Sequence, residues 1–516
     1  MRSTFAGLDV ARKALATQQY ALETTLHNVA NANSPGYSRQ RVEMGADYPV
    51  IVPGYNGIIG SGVRIDAIIR IRDEFLDYQI RNEFTISSYR EYCATVLGRL
   101  ESFFNEPGEG GLKEAMNRFY DAWQNLTRDV TDSSLRAEVR ASADVFCNVL
   151  NSFDYQMSQL IKDMDAAVQA SVNSINTKAQ QIAALNYDIF MIEAEGKYYA
   201  NDLRDRRDLL LDELSQLCEI KIIDENNYVT ITVNGVRLVS HTDVTRLGVA
   251  FNPELGWHEL EWVFGPNVKL AADIQSGSLG AQIQMRHDVQ FVYRAAMDAF
   301  AREFAMTINY QHRQGYYIDE DGDWEQGIDF FVPSGFDDDE AAFQPTAFSI
   351  RVNPLIMNGL AGLDLIAAVG LDEDEEFSPS GPDGPYPGNN INALRIAQIR
   401  NNKNLLAQIQ EGINDEISGT WLEDEFGLIY LGNTFEEKYH TFLLELGIRA
   451  DSNFRLYETS SYQTKMLEQR RSSISDVSLD EEMTNMIRFQ QAYAAAARLS
   501  AALNDVLSIL MERVFR

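Results

Sequence analysis

Cysteine is scarce in this chain: three in 516 residues, Cys93, Cys147 and Cys218, an odd number at wide spacings. No CxxC pair occurs, so neither a zinc ribbon nor a disulfide framework is expected, and each thiol reads as a small apolar core residue. A home outside the cell would not rest on a dense set of disulfides. Positive charge is also short. There are 44 Lys and Arg against 76 Asp and Glu, a formal net charge of -32. That excludes nucleic acid or an anionic membrane as the main partner, because both need clustered cations. No apolar run reaches the length of a membrane span. The N-terminus lacks a basic region followed by an apolar one. No cleaved secretory signal is therefore expected, and the chain either stays in the cytosol or leaves by a route without one. Phosphate-binding glycine patterns are missing too: the Gly- and Pro-containing stretch 45–62 holds no GxGxxG and is followed by no GK[ST]. The six histidines, at 27, 241, 258, 287, 312 and 440, are never paired at helical spacing, and there is no GxSxG. No metal and no cofactor are expected.

What is present is a matched pair of ends. Leu8, Leu15, Leu22 and Val29 recur every seven residues, with Phe5 and Leu26 on the neighbouring row, which makes one apolar stripe on a helix. Near the other end Leu479, Met486, Tyr493, Leu507 and Val514 fall on a second seven-residue grid, flanked by Met483, Ala497 and Met511. Gln490, Ser500 and Asn504 interrupt it, as polar seam residues do when they fix register. Burying six large side chains supplies on the order of 10 kcal/mol. Ordering about 25 residues costs more than that. Each stripe therefore needs a partner, either the other terminus or a neighbouring copy. The ordinary alternative is two amphipathic helices packed on a globular core. Ser478 followed by Glu481 fits a capping box at the start of the C-terminal helix.

Between the ends the pattern alternates by region. Residues 3–33 read as helix, stopped by the Asn-rich run and by Pro35 and Gly36. Residues 38–44 and 63–68 read as strands, and helix resumes from Asp73 to Leu100. A shorter helix carries Met116, Phe119, Trp123 and Leu126. From 132 to 195 there is neither proline nor glycine, and apolar residues keep helical spacing, so one or two long rods are expected. Asp202–Leu217 is a further helix. Period two takes over in 219–265, with Asn234-Gly235 marking a hairpin. Helix returns over 278–312, and a long one is expected over 434–471. Between Arg313 and Arg395 the one basic residue is Arg351, against 17 acidic ones; this reads as a separate, exposed outer domain. Asp319-Glu320-Asp321-Gly322-Asp323 resembles a calcium loop, but the glycine and closing Glu positions hold Trp324 and Phe330, so a turn is the better account. The runs 337–340 and 372–376 are placed on solvated surface in preference to a glycosidase site. No specific catalytic signature is found.

Three blocks then resemble a known family. His27-Asn28-Val29-Ala30-Asn31-Ala32-Asn33-Ser34-Pro35-Gly36-Tyr37-Ser38-Arg39-Gln40 resembles the N-terminal signature of the bacterial flagellar axial proteins: rod, hook and hook-associated. Gly60-Ser61-Gly62-Val63 and Ile71-Arg72-Asp73-Glu74-Phe75-Leu76 are similar to the block that follows it. Asp480-Glu481-Glu482-Met483 and Ile487-Arg488-Phe489-Gln490-Gln491-Ala492-Tyr493 resemble the C-terminal block. Pro35 before Gly36-Tyr37, and Arg39-Gln40 after, point to the hook-associated members. The resemblance covers about 3–100 and 430–516.

It implies a structural, non-enzymatic subunit that leaves the cytosol through the flagellar type III export apparatus. A chaperone would hold the C-terminal helix before export. Copies would then form a ring at the hook tip, touching hook protein on one side and a second hook–filament junction protein on the other. The fold expected is mainly α with β-rich outer domains. The terminal helices would pair as a coiled coil (1–72 with 475–516), followed by a helical rod in three parts (73–218, 277–312, 431–474). A small β module (219–276) and the acidic outer domain (313–430) complete it. The assembly residues expected are Phe5, Leu8, Leu15, Leu22, Leu26, Val29, Asn31, Pro35, Gly36, Tyr37, Arg39 and Gln40 at one end. At the other they are Leu479, Met483, Met486, Ile487, Gln490, Tyr493, Ala497, Leu507 and Val514. The alternatives are another axial protein, hook or flagellin-like, and a secreted acidic carbohydrate-active enzyme.

Overall fold

The structure is a computed structural model that describes residues 6–514, apart from 52–57, 105–109, 197, 226–227, 266–267, 319–322, 335–344, 372–387 and 418–432. Phe5, most of the calcium-like loop and both acidic runs lie outside the described residues.

Helix α1 (Ala6–Asn31) ends at the Asn-rich run, and β1 (Gln40–Ala46) follows. The short β2 (Val50–Ile51) and β3 (Ile58–Ile59) pair with each other, and β4 (Val63–Arg70) returns antiparallel to β1, from Gln40 opposite Arg70 to Ala46 opposite Val63. Helices α2 (Glu74–Phe104), α3 (Leu112–Leu126), α4 (Ser133–Glu193) and α5 (Asn201–Leu217) come next. The stretch without proline or glycine is one helix of 61 residues, about 90 Å long at 1.5 Å per residue.

The β region holds two sheets. Strands β5 (Lys221–Glu225), β6 (Tyr228–Val233), β7 (Val236–Ser240) and β8 (Asp243–Val244) make an antiparallel meander. Asn234 and Gly235 both have positive φ, 45° and 81°, as the tight turn between β6 and β7 requires. Strands β9 (Arg246–Asn252), β10 (Trp257–Phe264) and β11 (Val268–Ala271) make the second sheet. Helix α6 (Gly277–Asp288) runs through a π-helical segment, Val289–Arg294, into α7 (Ala295–Arg313). Four short strands, β12 (Tyr316–Ile318), β13 (Trp324–Gln326), β14 (Phe331–Pro333) and β15 (Ile350–Val352), form two pairs. The chain closes with α8 (Pro354–Met357), α9 (Ala361–Asp364), α10 (Ile391–Gln398), α11 (Lys403–Ile417), α12 (Phe435–Ser475) and α13 (Leu479–Val514).

These elements make two compact units. The first comprises residues 1–90, 169–281 and 457–516; the second comprises 91–168 and 282–456. In the first, the sheets are fastened to α4 by two buried asparagines. Asn176 Nδ2 donates to the Leu247 carbonyl at 2.7 Å, and its Oδ1 accepts the Leu247 N–H at 3.0 Å. Asn186, fully buried, donates to the Val229 and His241 carbonyls at 2.9 and 2.8 Å. The β module is thus bound to α4, residue by residue.

The second unit has an aromatic core. Phe146 and Phe304 lie 4.3 Å apart between ring centroids, and Phe119, Trp123, Phe330 and Phe331 surround them. Phe330 and Phe331 come from the acidic stretch expected to form the outer domain. Asn309 of α7 exchanges two hydrogen bonds with Phe331, at 2.7 and 2.8 Å. Arg136 of α4 donates to the Leu363 and Ile366 carbonyls, both at 2.9 Å. The acidic composition of 313–395 concealed the apolar residues that tie its described parts to the helices: Phe330, Val332, Ile350, Ile356 and Ile366 are all buried. All three cysteines are buried and outside any disulfide, and burial pushes the Cys218 thiol up to about 12.

Candidate functional site

In the first unit the signature residues build a fixed root for the two terminal helices. Asn28, near the end of α1, is buried. Its Nδ2 donates to the Gln40 carbonyl at 2.8 Å while its Oδ1 accepts the Gln40 N–H at 2.9 Å and the Tyr37 hydroxyl at 2.8 Å. A side-chain amide thus replaces a strand for the first residue of β1. The chain between them turns through Gly36 at φ +75°, where a Cβ would stand 3.1 Å from Leu209 of α5. Glycine is needed there both for dihedral and for space. Asn31 Nδ2 donates to the His27 carbonyl at 3.1 Å, and Pro35 is exposed in the turn.

The C-terminal helix is tied to the same place. Arg39 donates through Nε to Glu482 at 2.7 Å and through Nη1 to Glu481 at 2.6 Å, and its N–H donates to the Ser475 carbonyl at 2.8 Å. Asn28 Nδ2 also lies 3.3 Å from Glu482, whose side chain is 3% exposed. The Glu481 expected to cap α13 thus reaches Arg39. Gln40 extends the network to α5: its Nε2 donates to Asp202 at 2.7 Å, and its Oε1 accepts from Asn201 at 3.2 Å.

Below this joint lies a charge cluster that sequence reasoning missed. Asp205, Asp208 and Asp212 form one face of α5 and meet Arg70, Arg72, Arg81 and Arg471. Ser38 N–H donates to Asp205 at 2.9 Å, which links the cluster to the signature loop. Burial pushes the Asp208 carboxyl up, but Arg72, Arg70 and Arg81 outweigh it and hold that carboxyl well below the usual range. Asp205 goes the other way: burial raises it against the pull of Arg70 and the Ser38 N–H. Arg70 at 2.8 Å and Arg72 at 3.7 Å do less for it than three arginines do for Asp208. The signal in the sequence was the spacing of three and four between these aspartates on a helix.

From the root, α1 and α13 run side by side. On α1 the most buried row is small: Ala11, Thr17, Ala21, Thr24 and Thr25. The threonine hydroxyls donate back to Lys13, Tyr20 and Ala21 carbonyls, so they bring no unmet polar group. Leu8, Leu15, Leu22 and Val29 are half-buried beside that row, and Leu26 is 53% exposed. On α13 Met486, Ala497 and Leu507 are half-buried, while Leu479, Met483, Ile487, Gln490 and Tyr493 are exposed. Leu503, off the expected grid, stands 3.4 Å from a Cβ placed on Gly7. One chain therefore brings together only part of the two stripes. The side chain of Val514 lies outside the described residues. Among the described residues no group of three His, Cys, Asp or Glu side chains is placed to hold a metal, and no helix is long and apolar enough to cross a membrane.

Comparison with known proteins places this geometry. The model described as "Flagellar hook-associated protein FlgK helical domain" matches residues 97–331. "Flagella basal body rod protein" matches 8–37, and "Flagellar basal body rod FlgEFG protein C-terminal" matches 468–513. The chain is 29% identical to flagellar hook-associated protein 1 of Bacillus subtilis over 98% of both chains. It is 24% identical to the protein of that name from Salmonella typhimurium and 25% identical to that from Escherichia coli, in each case over 97% of this chain and 98% of the relative. A solved structure, the flagellar hook junction protein FlgK from Burkholderia pseudomallei, shares the fold with a TM-score of 0.59 at 15% identity, over 77% of this chain and 100% of that one.

Proposed function

We propose that this chain is a structural protein of the hook–filament junction of the bacterial flagellum, on its likeness along nearly its whole length to flagellar hook-associated protein 1. That near-complete likeness carries the reading and favours it over hook protein, flagellin and a carbohydrate-active enzyme.

Copies form a ring at the tip of the hook. The terminal helices α1 and α13 supply the inner surface, and the half-buried and exposed residues of both stripes pack against neighbouring copies as a coiled-coil seam. Hook protein lies on one side of the ring and the second junction protein on the other. The chain reaches that place through the type III export apparatus, with α13 held by a chaperone beforehand, and ends outside the cell. The exposure of Leu26, Leu479, Met483 and Ile487 supports this, because a solitary chain leaves them in water.

The test is to label the chain on purified hook–filament structures and to delete its gene. The expected result is a band at the junction, and hooks without filaments in the deletion strain. Filaments of normal number on the deletion strain would overturn the reading.

A further inference from the structure

The block Ile71-Arg72-Asp73-Glu74-Phe75-Leu76 is accounted for within one chain except at its centre. Arg72 pairs with Asp77, Asp73 Oδ1 accepts the N–H groups of Phe75 and Leu76 at 3.1 and 3.2 Å, and Leu76 is buried. Glu74 is exposed, Phe75 is 68% exposed, and Tyr78 one turn later is 58% exposed. The first turn of α2 thus presents an acidic, aromatic knob for which the chain itself has no use.

The same unit carries a groove of complementary chemistry. It lies among α1, β1 and α13 and encloses about 240 Å³. A cavity of about 150 Å³ accepts a benzene ring. The floor is Ala21, Thr24 and Thr25, whose hydroxyls are already bonded. Val42, Met44 and Phe489 make the walls. At the rim are two exposed cations. Arg488 lies over the Phe489 ring at 4.9 Å, and Arg41 has Glu43 no closer than 3.9 Å. Arg39, in the same groove, is already matched by Glu481 and Glu482. In a chain of net charge -32, Arg488, with no ion pair among the described residues, beside Arg41, whose pairing with Glu43 is long at 3.9 Å, marks where an acidic group of another molecule is received.

We propose that the groove lined by Met44, Phe489, Arg41 and Arg488 receives the Glu74–Phe75–Tyr78 knob of a second copy. Phe75 enters between Met44 and Phe489, and Glu74 meets the guanidinium groups at the rim. Knob and groove are different surfaces of one chain, so the contact is heterologous, the kind that builds rings or helical arrays. This rests on the assembly reading above and adds the lateral contact to it.

The test uses the full chain at the hook–filament junction. In the M44C/F75C variant, diamide oxidation of purified structures should give disulfide-linked species of two or more copies, whereas M44C and F75C alone should not. The three native thiols are buried and do not compete. Incorporation without cross-links would overturn the proposal while leaving the junction assignment intact. If the double variant is not incorporated, charge reversal decides. Arg488→Glu should lower incorporation by about tenfold or more, the effect of losing an interfacial anchor, and Glu74→Arg in the same chain should restore it. Failure of that rescue would overturn the proposal. Absence of the unaltered chain from the junction would instead sink the assembly reading.

Discussion

Asn28 and Asp208 carry most of the weight at the scale of single residues. Asn28 looked in the sequence like a helix breaker, since asparagine is a poor helix former. In the structure it holds the next strand by two hydrogen bonds and touches α13 through Glu482. Its type was readable, but its partners lie 12 and 454 residues away. Asp208 meets three arginines with a side chain that is 15% exposed. Its carboxyl sits below the unfolded value of about 3.9. Its stabilisation is therefore complete above that pH and is lost as pH falls toward the folded value. Asp205, raised by burial, has the opposite sign and returns part of the loss. We predict that the urea midpoint of the full chain falls between about pH 5 and 3. Asp208→Asn should lower the midpoint at pH 7, by about 3 kcal/mol in stability for a broken buried pair, and should flatten that acid-side fall. Equal falls in the variant and the unaltered chain would remove Asp208 from its place at the centre of the cluster.

At the scale of elements, helix periodicity was the most legible signal. The 61 residues of α4 and the 26 of α1 follow from apolar spacing without internal breakers. What periodicity did not settle was which face lies deepest. On α1 the small row Ala11–Ala21–Thr24–Thr25 is buried and the leucine stripe is only half covered. Hydrophobicity ranks leucine above threonine, but close approach of neighbouring elements favours small side chains. Leu22 and Met486 are thus intermediate in the single chain and available to a neighbour. Leu22→Asp or Met486→Asp should leave the second unit folded and block incorporation and swimming. Motility at the normal level in either variant would contradict a seam through these positions.

For the molecule as a whole, the chain divides into two compact units, and the terminal helices α1 and α13 both belong to the first. The terminal helices should accordingly show graded protection in the dilute monomer. Amides of residues 24–31 and 479–489, near the root, should exchange slowly; those of 6–15 and 500–512 should exchange fast. Uniformly fast exchange across both helices would mean that the root does not form without assembly. The sequence by itself determined the helices, the Asn-Gly hairpin and the resemblance to the flagellar axial proteins, because these depend on local spacing and on contiguous motifs. Tertiary structure alone decided that the described parts of the acidic stretch join the aromatic core, that four arginines meet the aspartates of α5, and that Arg39 closes on Glu481 and Glu482. Those outcomes bring together charges and rings far apart in the chain. Composition averages over such pairs, and their energy exists only once folding has brought them within a few ångströms.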